Sequence, residues 1–81
     1  MLEKTIIYTI KNCPSCVRAK NLLQEKGYSF QEIDVTNNPE NLREQLMERT
    51  KGQRTLPQVF INEHHVGGYE ALQAFLHEQK P

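Results

Sequence analysis

A short apolar run, Thr5-Ile6-Ile7-Tyr8-Thr9-Ile10, leads into Cys13-Pro14-Ser15-Cys16, and a helix-like pattern follows at once. No other feature constrains the fold as much. β-Branched and aromatic residues that are apolar on both faces read as a central strand covered by helices. Lys11-Asn12 then turns the chain. Pro14 suits the first position of a helix, where its missing N–H would have had no intrahelical partner anyway. Ala19, Leu22 and Leu23, with Lys26 closing the stripe, give the spacing of one buried helical face. Gly27 ends that helix as a C′ residue. The two cysteines of the chain therefore sit at a helix N-terminus, where unpaired amides and the helix dipole favour a thiolate. A disulfide between them would close a tiny loop and add little stability by chain entropy. The pair reads as an attacking and a resolving thiol rather than a staple.

Further along, Phe30 to Val35 reads as a second strand, more polar and so at an edge. Asn37-Asn38-Pro39 looks like a second cap-then-proline helix start, with Glu40 in the first turn where the dipole favours an acid. Leu42, Leu46 and Met47 form the stripe of that helix, which fades at Thr50-Lys51-Gly52. Gln58-Val59-Phe60-Ile61 is a short strand, Asn62-Glu63 a turn, and His64-His65-Val66 the returning strand. Gly67-Gly68 breaks the chain before a last helix carrying Leu72, Phe75 and Leu76 on one face. The order β-α-β-α-β-β-α, with a right-handed crossover in its first unit, predicts an α/β fold. The last two strands form a hairpin, which makes the four-stranded sheet mixed, with helices on both faces.

Composition narrows the function. At 81 residues the chain is one domain. Ten Lys and Arg balance ten Asp and Glu, so net charge offers no argument for nucleic acid or an anionic membrane as partner. Met1-Leu2-Glu3-Lys4-Thr5-Ile6 carries an early acid and lacks a long apolar run, and is read as neither a signal peptide nor a membrane span. A reducing cytosol, where C-x-x-C pairs are catalytic or metal-binding, is the expected setting.

Several linked signals then carry a family resemblance: Tyr8-Thr9, Cys13-Pro14-x-Cys16, Arg18-Ala19-Lys20, Gly52-x-Arg54-Thr55, Leu56-Pro57-Gln58-Val59-Phe60-Ile61 and Gly67-Gly68-Tyr69. In this order, over about Ile6 to Leu76, the chain resembles a glutaredoxin. The resemblance implies a thioredoxin-like fold and a single domain over residues 1–81. It also implies a dithiol–disulfide oxidoreductase with no tightly bound cofactor and glutathione as reductant. The implied partners are glutathione and disulfide-containing or glutathionylated proteins, ribonucleotide reductase among them, met by a monomer in the cytoplasm.

On the matching positions, the resemblance makes Cys13 the nucleophile and Cys16 the resolver, in agreement with their placement. It assigns glutathione contacts to Lys11, Ser15, Arg54, Thr55, Leu56, Pro57, Gly68, Tyr69 and Glu70. Pro57 would be cis, although an X-Pro bond is cis only about 5% of the time in folded proteins. Leu56 would then offer its backbone to a bound peptide like an added strand; the alternative is an ordinary proline at the first residue of a strand. Two positions depart from the family pattern. Ser15 stands where dithiol members mostly carry Tyr. Ala71 has no side-chain acceptor where relatives often hold the γ-glutamyl end, although backbone amides at that helix start could bind its carboxylate.

The cations near the Cys motif or the Thr55-Leu56-Pro57 segment in sequence are Lys11, Arg18, Lys20, Lys51 and Arg54. Lys11 and Arg54 are candidates to meet the glycine carboxylate of glutathione, and Arg18 is read as a solvated helix-face charge. Tyr8 is read as a core aromatic. Tyr69 is left between core packing and the γ-glutamyl pocket. His64 and His65 are assigned to the surface or an edge, and His77 to solvent.

A lowered thiol pKa serves departure more than attack. A fall from about 8.5 to about 5 raises the thiolate fraction at neutral pH roughly 30-fold, and the accompanying loss of nucleophilicity nearly cancels it. What remains is a better leaving group. An iron–sulfur carrier sharing a cluster between two subunits is an alternative, opposed by the stiffness of Pro14 and by the lack of four thiolates. A redoxin fed by thioredoxin reductase for ribonucleotide reductase is another. A structural zinc site would want four ligands, and no second C-x-x-C is present.

Overall fold

A computed structural model describes residues 4–78. The expectation about Met1-Leu2-Glu3 lies outside these residues. The elements are β1 (Thr5–Thr9), α1 (Pro14–Glu25), β2 (Gln31–Asp34), α2 (Leu42–Arg49), β3 (Gln58–Ile61), β4 (His64–Gly67) and α3 (Tyr69–Glu78). The sheet order is β2-β1-β3-β4. β1 and β2 run parallel, while β1–β3 and β3–β4 are antiparallel. This is the mixed sheet expected from the element order, and it is the thioredoxin-like fold that the resemblance implies.

The period of two along β1 and β3 divides the core. Ile7, Val59 and Ile61 face α1 and α3, where Ala19, Leu23, Leu72 and Leu76 complete one cluster. Tyr8 and Phe60 face the other way, with Val35 and Leu46 of α2. Both faces of β1 are covered, as its unbroken apolar run requires. Among the described residues, no helix is long and apolar enough to cross a membrane.

α1 ends where Gly27 was expected to stop it. Gly27 lies at φ 82°, its N–H donates to Gln24 O (3.1 Å), and Tyr28 N–H donates to Leu23 O (2.9 Å). These are the two bonds of a Schellman cap. The Asn62-Glu63 turn has positive φ at both residues (53° and 69°), the geometry that suits the twist of a two-residue hairpin.

The start of α2 is a correction. Asn38-Pro39 does not open the α-helix, and Glu40 is not in its first turn. Pro39–Asn41 forms a 3₁₀ turn, with Asn38, Glu40 and Asn41 all left-handed (φ 50°, 53° and 58°), and α2 begins at Leu42. Asn38 still caps, but from further back. Its Oδ1 accepts from Arg43 N–H (2.9 Å) while its Nδ2 donates to Glu44 (3.0 Å). That bond from Asn38 is the main reason the Glu44 carboxyl is held below its ordinary pKa.

Candidate active site

Cys13 is the N-cap of α1, in extended conformation (φ −120°, ψ 95°), and Pro14 follows at the first helical position. Its Sγ accepts from the backbone N–H of Cys16 (3.1 Å), so the sulfur supplies the cap that Ser or Asp supplies elsewhere. The same donor is in place to stabilise negative charge once the sulfur is a thiolate. Cys13 is half-buried and Cys16 is buried, 2% exposed. The two are joined in a disulfide, with Cα atoms 5.2 Å apart. An incoming group can therefore reach Cys13, and Cys16 can be reached mainly through Cys13.

The Leu56–Pro57 peptide is cis, in line with the implied geometry. Leu56 O lies 3.7 Å from Cys13 Sγ, which puts the backbone before β3 beside the reactive sulfur. α3 starts on the same side. A Cβ built on Gly68 would lie 3.4 Å from Pro57 O, and Leu72 N–H donates to Gly68 O (2.9 Å) as the first helical bond. The amides of Tyr69 to Ala71 consequently have no intrahelical acceptor. Gly67 is conformationally bound: φ is 122°, and a Cβ there would meet Ala71 Cβ at 2.9 Å.

These three segments enclose an open cleft of about 500 Å³. The start of α1 contributes Ser15 and Arg18, and the loop before β3 contributes Thr55, Leu56 and Pro57. The start of α3 contributes Gly68, Tyr69, Glu70 and Ala71, with Gln73 behind them. Of the expected contact residues, the cleft gathers Ser15, Thr55, Leu56, Pro57, Gly68, Tyr69 and Glu70. It does not gather Lys11 or Arg54. Lys11 is exposed, its N–H donates to Thr36 Oγ1 (2.9 Å), and its charge acts on Asp34. Arg54 lines a separate cavity of about 220 Å³ with Arg43, Glu44 and Leu46.

Arg18 is exposed, as its reading as a solvated helix-face charge expects, and it also lines the cleft. Its spacing of three from Ser15 puts both on one helical face, and that was the available signal. Lys20 is turned away, bridging Glu32 at 3.1 Å. The Thr9 hydroxyl donates to the same carboxylate (2.7 Å), and with Lys20 it lowers the pKa of Glu32.

Tyr8 is 7% exposed, edge-on to Phe60 at 5.8 Å, and its hydroxyl accepts from Arg49 (3.1 Å). Tyr69 packs on the core and also lines the cleft. His64 and His77 are exposed. His65 is half-buried, its ring 5.0 Å from that of Phe60. Burial first, then the charges of His64 and Arg49, lower the pKa of His65 below 6.5. The neutral ring therefore stabilises the fold above the unfolded-state value, and that contribution is lost as pH falls through the lowered one. Between about pH 7.5 and about pH 5, His65→Gln should lose less stability than the wild type in urea titrations; equal losses would contradict this.

The family model for glutaredoxin matches residues 5–66. The chain belongs to the glutaredoxin family. It is 52% identical over 73 residues to a glutaredoxin of Pseudomonas aeruginosa, covering 90% of this chain and 84% of that one. The solution structure of the Brucella melitensis glutaredoxin superposes with a TM-score of 0.80 at 46% identity, covering 99% of this chain and 84% of the other. The crystal structure of a buckwheat glutaredoxin–glutathione complex superposes with a TM-score of 0.81 at 25% identity, covering 94% and 70%. As a glutaredoxin with both cysteines in place, the protein is a thiol–disulfide oxidoreductase.

Proposed function

We propose that this glutaredoxin reduces protein disulfides and glutathione mixed disulfides, with glutathione as its electron donor. The observation that carries this reading is the charge arrangement of the cleft. Arg18 and Glu70, of opposite sign, stand in it with the first amides of α3. The γ-glutamyl end of glutathione is a zwitterion, so Arg18 and the amides suit its carboxylate and Glu70 suits its ammonium. Glu70 thus offers the acceptor that Ala71 lacks. The buckwheat protein crystallised with glutathione lends further support.

In the monothiol route, the Cys13 thiolate attacks the glutathionyl sulfur of a mixed disulfide. The protein thiolate leaves and takes a proton, and glutathione becomes linked to Cys13. A second glutathione thiolate attacks that sulfur, releasing oxidised glutathione and restoring the Cys13 thiolate. In the dithiol route, Cys13 attacks a protein disulfide and Cys16 displaces the substrate, which leaves fully reduced. The Cys13–Cys16 disulfide is the product, and two glutathiones then reduce it. Throughout, the Leu56 backbone pairs with the substrate backbone beside Cys13. A monomer in a reducing cytosol completes the reading.

A coupled assay with glutathione, glutathione reductase and a glutathione mixed disulfide tests it. Turnover by the wild type is expected, and its absence would refute the glutathione reading. Arg18→Glu should raise KM for the mixed disulfide by about tenfold, since a charge-assisted hydrogen bond becomes a repulsion. An unchanged KM would remove Arg18 from the site.

A further inference from the structure

Gln58, the first residue of β3, is 0% exposed yet carries an amide. Burial of an unpaired amide is costly, and this one is well paired. Its Nε2 donates to Thr55 O (2.9 Å) and to Gln53 Oε1 (3.1 Å), which uses both N–H groups. Its Oε1 lies 2.7 Å from His65 Nε2. The orientation follows from the chemistry. Thr55 O can only accept, so the NH2 must face it, the oxygen must face His65, and His65 must donate from Nε2.

The loop before β3 has no regular hydrogen-bonded structure, so bonds of this kind shape it. The Thr55–Leu56 peptide is trans, and in a trans peptide C=O and N–H point to opposite sides. With Thr55 C=O drawn inward to Gln58, the Leu56 N–H is directed away from Gln58. The next carbonyl, Leu56 O, is the one 3.7 Å from Cys13 Sγ.

We propose that Gln58 is a positioning residue for disulfide exchange: its buried amide sets the Thr55–Leu56 peptide plane and so aims the Leu56 N–H at the substrate backbone, while His65, across the hairpin, holds the amide the right way round. This rests on the pairing of Leu56 with substrate in the function proposed above. Neither residue touches substrate. Both act through the Leu56 amide.

The test uses the full chain and two substrates: a glutathione mixed disulfide, and a cystine-bridged peptide turned over with dithiothreitol and no glutathione. Gln58→Met and Gln58→Glu should raise KM for both by about five- to tenfold, the effect of one misdirected hydrogen bond, with kcat within about twofold. Alkylation of Cys13 by iodoacetamide, which needs no backbone pairing, should keep its rate. His65→Phe should raise KM in the same sense, and His65→Gln, which keeps a donor, should restore it. Unchanged KM in folded Gln58 variants would overturn the proposal, as would kcat and alkylation falling together with the melting temperature. Should the Gln58 variants not fold, equal KM in His65→Phe and His65→Gln would overturn it. If the wild type turns over only the cystine peptide, the glutathione reading fails, and the Gln58 variants still decide this proposal on that substrate.

Discussion

Cys13→Ser should lose at least about a thousandfold in turnover on every disulfide substrate, because a serine hydroxyl at neutral pH is no substitute for a thiolate. Cys16→Ser should behave differently on two substrates. On a glutathione mixed disulfide it should stay within about threefold of the wild type, since free glutathione can resolve the Cys13 adduct. On a protein disulfide it should lose about tenfold or more, because the resolving sulfur is gone. The structure supports this inequality: Cys13 is the half-buried N-cap and Cys16 is 2% exposed one turn inside the helix. Side-by-side steady-state assays of the two variants on both substrates give the measurement. Turnover surviving in Cys13→Ser would overturn the assignment of nucleophile.

The largest effect on stability is expected from Leu23→Ala. Leu23 is 0% exposed and packs with Ile7, Ala19, Val59, Leu72 and Leu76, joining α1 and α3 to one face of the sheet. Its truncation removes buried area and leaves a cavity, for a loss of about 3 kcal/mol. For a domain of this size that lowers the melting temperature by about 15 °C. Val17 is also apolar and lies on the same helix, but it is 52% exposed, and Val17→Ala should stay within about 0.5 kcal/mol. Thermal unfolding of the two variants makes the comparison. A similar loss in both would mean that α1 is not anchored through Leu23.

The element order was legible because each element carries its own period: the unbroken apolar run of β1, the stripe from Ala19 to Lys26, and the paired turn residues at 62–63. The placement of Cys13 as N-cap was legible because Pro14, with a helical stripe directly after it, suits the first helical position. The start of α2 was not. Asn38 and Asn41 tolerate left-handed φ, as asparagine does, but Glu40 takes it as well, held by the Asn38 bonds to Arg43 and Glu44 and by the Gln45 side chain donating to Glu40 O. Arg18 is exposed as read; its place beside the cleft was hidden by a different cause, because the facing wall, the start of α3, is distant in sequence. Gln58 was read as an ordinary strand residue, since its partner His65 faces it only once the hairpin has closed.

The cap on α1 has a consequence for how the enzyme's own state is stored. In most helices the N-cap side chain is inert, and here it is the atom that changes bonding at each step of the cycle. In the disulfide state the Cys16 amide donates to Cys13 Sγ, so any change in what that sulfur carries is a change in the acceptor that caps α1.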